Sequence, residues 1–310
     1  MKLMFLSDSE KMESWRVLLT AELPKLEFVN WPEEVGDPAL IDYALVWKPP
    51  SGELAKYQNL KAILSLGAGI DHLSSDPNLP RNVPVVRLVD RCLTQGMTEY
   101  ILYWVIHYHR RMGDYAEIMK TGKWRQFLQR DTRLRRVGVL GLGELGGDAA
   151  VKLAMLDFDV AGWSRSPKAL PGVTSYCGPD GLREFLARTE ILICLLPMTD
   201  GTRGIINREN LAKLPSGAVV INAARGGHVV DDDLLASLNS GHIAGATLDV
   251  FHTEPLPAGH PYWSHPKVTV TPHVGSLTVP HSAVNHIADN IRRIERGETP
   301  LNVVNMGVGY

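Results

Sequence analysis

Short apolar runs alternate with amphipathic stretches along the 310 residues. KLMFLS comes first, followed by an amphipathic stretch over residues 12–23, then LEFVN, YALVW and LKAILSL, with breaks at residues 32–38 and 48–52 that are rich in Pro and Gly. An apolar run of four to eight residues bounded by turn residues predicts a buried strand, and strands alternating with helical patterns predict a doubly wound α/β sheet. VPVVRLVD adds a strand and residues 92–97 read as a loop. From Thr98 the pattern EYILYWVIHYHRRMGDY predicts one long, mostly buried helix.

The alternation then starts again. RVGVL reads as a strand, residues 147–156 as a helix, and FDVAGWS, EILICLLP and GAVVINAARG as further strands. A helix over 231–238 and the strands GATLDVF and KVTVTPHVG complete the pattern. A length of 310 residues is about twice the usual domain size, so two α/β domains are expected.

The strand RVGVL runs into Gly141-Leu142-Gly143-Glu144-Leu145-Gly146, a Gly-x-Gly-x-x-Gly turn between a strand and a helix. There the first glycine permits the tight turn, the second lets a pyrophosphate approach the backbone and the third lets helix pack on strand. The helix N-terminus offers amides and positive dipole to phosphate. A dinucleotide is the implied ligand. About twenty residues on, an NAD-binding chain places a carboxylate on the ribose 2′-hydroxyl. This chain has Trp163-Ser164-Arg165-Ser166-Pro167-Lys168 instead. Hydroxyls, a guanidinium and an ammonium suit a 2′-phosphate that a carboxylate would repel, so Ser164, Arg165, Ser166 and Lys168 favour NADP(H), with NAD(H) kept as the alternative cofactor.

Three polar residues follow three different strands: Arg225 after GAVVINAA, Glu254 after GATLDVF and His273 in KVTVTPHVG. In open α/β sheets, residues just beyond the carboxyl ends of strands line the ligand crevice. Reduction of a 2-oxo acid by a nicotinamide needs a clamp for the carboxylate or carbonyl, an acid for the developing alkoxide and a partner that keeps that acid charged and oriented. Arg225, His273 and Glu254 meet these needs in that order.

Charge and composition narrow the alternatives. A formal net charge of −2 gives no electrostatic footprint for nucleic acid or an anionic membrane. The start, MKLMFLSDSE, turns acidic too soon for a signal peptide and no run approaches a membrane span, so a cytoplasmic location is expected. Cys92, Cys177 and Cys194 are too few and scattered for a disulfide framework and read as reduced packing residues. His107 and His109, two apart on a helix, do not share a face, and no metal site is expected.

GLGELG, INAARGGHVVDDDLL, GATLDVFHTEPLP and HPKVTVTPHVG, in this order, resemble the D-isomer-specific 2-hydroxyacid dehydrogenases. SLGAGIDHL is similar to the family's substrate-domain glycine loop and MTEYILYWVIHYHRR to its domain-connecting helix. YALVWKPP, the non-acidic WSRSPK and the tail ending Gly309-Tyr310 resemble an NADPH-preferring branch that reduces glyoxylate and hydroxypyruvate. The resemblance implies two doubly wound, Rossmann-like parallel-sheet domains, with a dinucleotide-binding domain over 98–277 inserted into a substrate domain formed by 1–97 and 278–310, and an active site in the cleft between them. It implies Arg225 as substrate-binding arginine, Glu254 as acid partner and His273 as proton donor. Ala68 and Gly69 would bind the substrate carboxylate and Trp47 would line the pocket. Leu196, Pro197, Ala223 and Asp249, with Arg225 and His273, would flank the ribose and nicotinamide. A homodimer joined through the nucleotide domain is implied, with the helix after Thr98 in the contact. The same chemistry on larger phenyl- or branched-chain 2-oxo acids stays open, as does a dinucleotide-sensing interaction protein.

Overall fold

The computed structural model describes residues 1–7 and 11–306; the tail residues Gly309 and Tyr310 lie outside them. The chain divides into two compact units, one formed by Met1–Leu93 with the segment from Leu277 onward and the other by Thr94–Ser276.

In the first unit the strands β1 (Lys2–Ser7), β2 (Glu27–Asn30), β3 (Tyr43–Trp47), β4 (Ala62–Ser65) and β5 (Val85–Val86) form one parallel sheet in the order β2-β1-β3-β4-β5. This is a doubly wound order. Successive strand residues point to opposite faces, and both faces are covered. Leu3, Phe5, Tyr43, Leu45 and Leu64 join one core with the helix α1 (Met12–Glu22) and the last helix, Pro280–Glu295. Met4, Leu6, Ala44, Val46 and Ile63 join the other. A continuous apolar run such as LMFL therefore needs no polar face. The helix α2 (Asp71–Ser74) follows the glycine loop.

The second unit carries seven parallel strands: β6 (Arg136–Leu140), β7 (Asp159–Ser164), β8 (Val173–Cys177), β9 (Ile191–Cys194), β10 (Ala218–Asn222), β11 (Ile243–Leu248) and β12 (Val268–Val270). Their order is β12-β11-β10-β9-β6-β7-β8, which reverses between β6 and β9. Strand alternation again feeds two cores: Val137, Val139, Ile193 and Ile221 on one face and Leu140, Leu192, Val220 and Leu248 on the other.

Three expectations are corrected. Residues 92–97 are not a loop, because α3 runs Arg91–His109. The Asp90 carboxylate accepts from the amides of Cys92 and Leu93 at 3.0 and 3.2 Å, which starts the helix there. The single long helix is two: Arg111, at φ +59°, ends α3, and α4 (Met112–Met119) has no buried residue. Cys92 and Cys177 are exposed free thiols rather than packing residues, and only Cys194 is buried. Among the described residues no helix is long and apolar enough to cross a membrane.

Candidate functional site

The glycine turn sits at the strand-order reversal. Gly141 has φ +98°, and a Cβ there would lie 2.7 Å from the Leu195 carbonyl oxygen in the loop after β9. A Cβ on Gly146 would lie 1.9 Å from the Gly141 oxygen, so the helix α5 (Glu144–Met155) can press onto the turn only with glycine there. At Gly143 the direction a Cβ would take is open, and no side chain caps α5. An exposed Gly143 over helix amides that no side chain has claimed fits a dinucleotide pyrophosphate. Leu142 is different: it is 4% exposed and its side chain fills the space over Gly162 of β7, so only its backbone is available to a ligand. Glu144 is exposed and Leu145 half-buried.

In the loop after β7, the buried Ser164 donates its hydroxyl to the Ser166 carbonyl at 2.8 Å, which shapes the turn. Lys168 donates its amide to the Ser175 hydroxyl at 2.9 Å. Arg165, Ser166 and Lys168 are exposed. After β9, Leu196 is buried, and the Pro197 carbonyl accepts from the Thr202 hydroxyl at 2.7 Å.

Arg225, Glu254 and His273 follow β10, β11 and β12, which are consecutive neighbours in the sheet. Parallel strands deliver their carboxyl ends to one edge, so three loops far apart in sequence meet there. A Cβ on Gly226 would fall 2.0 Å from the Phe251 carbonyl carbon and 2.3 Å from the His252 nitrogen, so the loop of Arg225 lies backbone to backbone on the loop of Glu254. Glu254 uses both oxygens: Oε1 accepts from the Phe251 amide at 3.1 Å and Oε2 faces His273 Nδ1 at 2.9 Å. His273 is held at φ +54°. With Nδ1–H committed to the carboxylate, Nε2 is the nitrogen left to exchange a proton.

Two residues not singled out from sequence fix the arginine loop. Asn222 and His228 are fully buried. Asn222 donates to the Arg225 carbonyl at 2.9 Å and accepts from the Ala224 amide at 3.2 Å. His228 lies between the Arg225 carbonyl, 3.2 Å from Nδ1, and the Pro197 carbonyl, 3.3 Å from Nε2. The signal was available, since both flank Arg225 within three residues, but only packing reveals that they turn inward. Ala223, 6% exposed, packs with the core. Asp249, expected beside the ribose and nicotinamide, is 1% exposed. Its carboxylate instead accepts from the Thr271 hydroxyl and the amides of Val274 and Gly275 at 2.6, 2.9 and 2.7 Å.

In the first unit, Trp47 ends β3. A Cβ on Gly67 would meet its indole at 2.4 Å, and the His72 ring lies 4.6 Å away, centroid to centroid. Ala68 and Gly69 are half-buried in the loop that follows β4. Among the described residues no group of three or more His, Cys, Asp or Glu could hold a metal ion.

The sequence profile described as D-isomer specific 2-hydroxyacid dehydrogenase, NAD binding domain, matches residues 102–275. A glyoxylate/hydroxypyruvate reductase A of Serratia proteamaculans is 42% identical over the full length of both chains. A D-isomer specific 2-hydroxyacid dehydrogenase of Xanthobacter autotrophicus, solved with NADPH and MES, superposes with a TM-score of 0.96 at 46% identity, over 100% of this chain and 99% of that one. An NADPH-dependent glyoxylate/hydroxypyruvate reductase of Sinorhizobium meliloti, solved with NADP and sulfate, gives 0.94 at 38% identity with the same coverage. A doubly wound sheet with a glycine turn at its reversal, an Arg–Glu–His set at three adjoining strand ends and these likenesses along the whole length lead to one assignment: the chain belongs to the D-isomer-specific 2-hydroxyacid dehydrogenase family.

Proposed function

We propose that the protein is an NADPH-dependent reductase of small 2-oxo acids, glyoxylate and hydroxypyruvate first among them, with His273 as proton donor. The observation that carries this reading is the 2.9 Å pair of His273 Nδ1 and Glu254 beside the loop of Arg225. Bound at the glycine turn, the cofactor supplies the hydride. Arg225, permanently charged and forked, binds the substrate carboxylate or carbonyl oxygen and stabilises the charge that develops there. Glu254 orients the imidazole, and Nε2 of the protonated ring gives its proton to the nascent alkoxide. In the reverse direction the neutral ring takes the proton back. Trp47, Ala68 and Gly69 form the substrate side, with the unit of Met1–Leu93 and the segment from Leu277 onward as substrate domain and Thr94–Ser276 as nucleotide domain. The backbone of residues 141–146 holds the pyrophosphate, and Arg165, Ser166 and Lys168, on a turn shaped by Ser164, hold the 2′-phosphate. Leu196, Pro197 and Ala223 flank the nicotinamide side.

The solution form we infer is a homodimer through α3, α4 and the segment after them. Tyr103, Met119, Trp124 and Leu128 are 60, 76, 96 and 94% exposed there, more apolar surface than one element of a monomer normally leaves uncovered. Sedimentation at twice the 34.2 kDa chain mass is the expected result. The exposed thiols of Cys92 and Cys177 suit a reducing cytoplasm.

Initial rates of glyoxylate reduction with NADPH and NADH, for the natural chain and for Arg165→Asp, test the main reading. The natural chain should prefer NADPH, and the variant should raise KM for NADPH about ten- to hundredfold, as the loss of a charged hydrogen bond plus a repulsive carboxylate requires, with little change for NADH. Equal rates with both cofactors would remove the phosphate site. No rate with either, alongside turnover of phenyl- or branched-chain 2-oxo acids, would move the substrate class.

A further inference from the structure

We propose that Tyr100 and Thr271 are positioning residues for His273, acting as a hydrogen-bond relay that ends on the buried carboxylate of Asp249. The inference rests on the reading of His273 as proton donor. The Tyr100 hydroxyl lies 2.7 Å from Thr271 Oγ1, and Thr271 Oγ1 lies 2.6 Å from Asp249 Oδ1. An ionised carboxylate only accepts, so the single hydroxyl proton of Thr271 is spent on Asp249. The other bond must then run from the phenol to the threonine oxygen. Burial pushes the Tyr100 phenol well above its ordinary value, which keeps it a donor throughout the working pH range.

The relay has one destination. Asp249 holds three successive amides of the histidine loop: its own carbonyl accepts from His273 at 2.8 Å, Oδ1 from Val274 at 2.9 Å and Oδ2 from Gly275 at 2.7 Å. Between the first two stands the left-handed backbone of His273, at φ +54°. A non-glycine residue there is strained and persists only where its neighbours fix it. That conformation turns the ring toward Glu254. Relaxation of the loop would leave Glu254 and Arg225 in place and swing only the acid.

The helix supplies its own control. Tyr108, two turns beyond Tyr100 on α3, makes the same kind of bond to the Thr247 hydroxyl, at 2.8 Å, within strand β11 and away from the histidine loop. Glyoxylate reduction with NADPH is to be measured for Tyr100→Phe, Tyr108→Phe, Thr271→Val, Thr271→Ser and His273→Ala, with the Kd of NADPH and the melting temperature of each. Thr271→Val should lower kcat about tenfold and Tyr100→Phe about threefold, the loss expected for one or two neutral hydrogen bonds, with KM for glyoxylate and Kd for NADPH within about twofold. Thr271→Ser should restore kcat, and Tyr108→Phe should leave it unchanged while costing as much melting temperature as Tyr100→Phe. Equal losses of kcat in the two tyrosine variants, no rescue by serine, or full turnover in Thr271→Val would each overturn the relay. If Thr271→Val does not fold, the tyrosine pair decides. Loss of turnover in His273→Ala with unchanged Tyr100→Phe would overturn this inference alone; full turnover in His273→Ala would overturn the proton-donor reading and the relay with it.

Discussion

His273 Nδ1 faces the Glu254 carboxylate across 2.9 Å, and in the proposed reaction the two act as one group. Exchanging Glu254 for Gln keeps the shape and removes the charge. The ring loses its charged partner and half of its reason to keep one orientation. A hydrogen bond to a charged partner contributes about 1.5–3 kcal/mol, so kcat for 2-oxo acid reduction should fall roughly ten- to hundredfold while the Kd of NADPH holds. A variant with full kcat would detach Glu254 from the chemistry. At this scale residue type and position after a strand pointed to Arg225, Glu254 and His273, which the structure brings to three adjoining strand ends. The sequence was less informative for Asp249 and Ser164. Both also stand at strand ends, yet Asp249 turns its carboxylate into the protein and Ser164 spends its hydroxyl on the Ser166 carbonyl. Side-chain direction at a strand end depends on what packs around it, and one sequence does not carry that.

The elements bring the site together through backbone contact as much as through side chains. Gly226 lets the loop after β10 touch the loop after β11, with Phe251 and His252 where a Cβ would have to sit. Neither neighbour is the flexible end of a side chain, so Gly226→Ala must separate the two loops. Overpacking of this kind costs about 1–3 kcal/mol of stability, and here it would also part Arg225 from the Glu254–His273 pair. A fall in melting temperature with a larger fall in kcat/KM is the expected result. A variant with normal kcat/KM would show that loop contact does not set the geometry. Strands and their parallel order followed from runs such as LMFL and AVVI, which are apolar at every position because both sheet faces are covered. Helix limits were harder. Asp90 caps α3 and the helix runs through Gly96, a residue that disfavours helices, whereas Arg111 breaks the helix with a residue type that favours them.

At the scale of the whole molecule, burial lowers the pKa of His286 in the first unit and of His107 and His109 in the second, and this gives folding a pH dependence separate from that of catalysis. In the first unit His286 lies 3.0 Å from the Asn302 side-chain amide, which needs an acceptor. Burial lowers its pKa below the ordinary 6.5, Asp90 and Asp289 oppose the shift and Arg87 adds to it. In the second unit His109 is 6% exposed against Phe158, its Nδ1 has no hydrogen-bond partner among the described residues, and burial again lowers the pKa, with Arg135, Arg110 and Arg130 adding to the shift and Asp131 opposing it. A depressed imidazole pKa means that the unfolded chain takes up the proton first. The stability these residues contribute is therefore fully present above pH 6.5 and is lost as the pH falls below it toward the folded pKa values, by at most about 1.4 kcal/mol per pH unit for each proton. Melting temperature should fall between pH 7 and 5, a window above the range where most carboxylates titrate. His286→Gln keeps an acceptor for Asn302 and His109→Phe keeps the aromatic packing, and neither takes up a proton. The double variant should make the profile shallower over that window, leaving the part that His107 contributes, and a slope equal to that of the natural chain would mean that other groups set it.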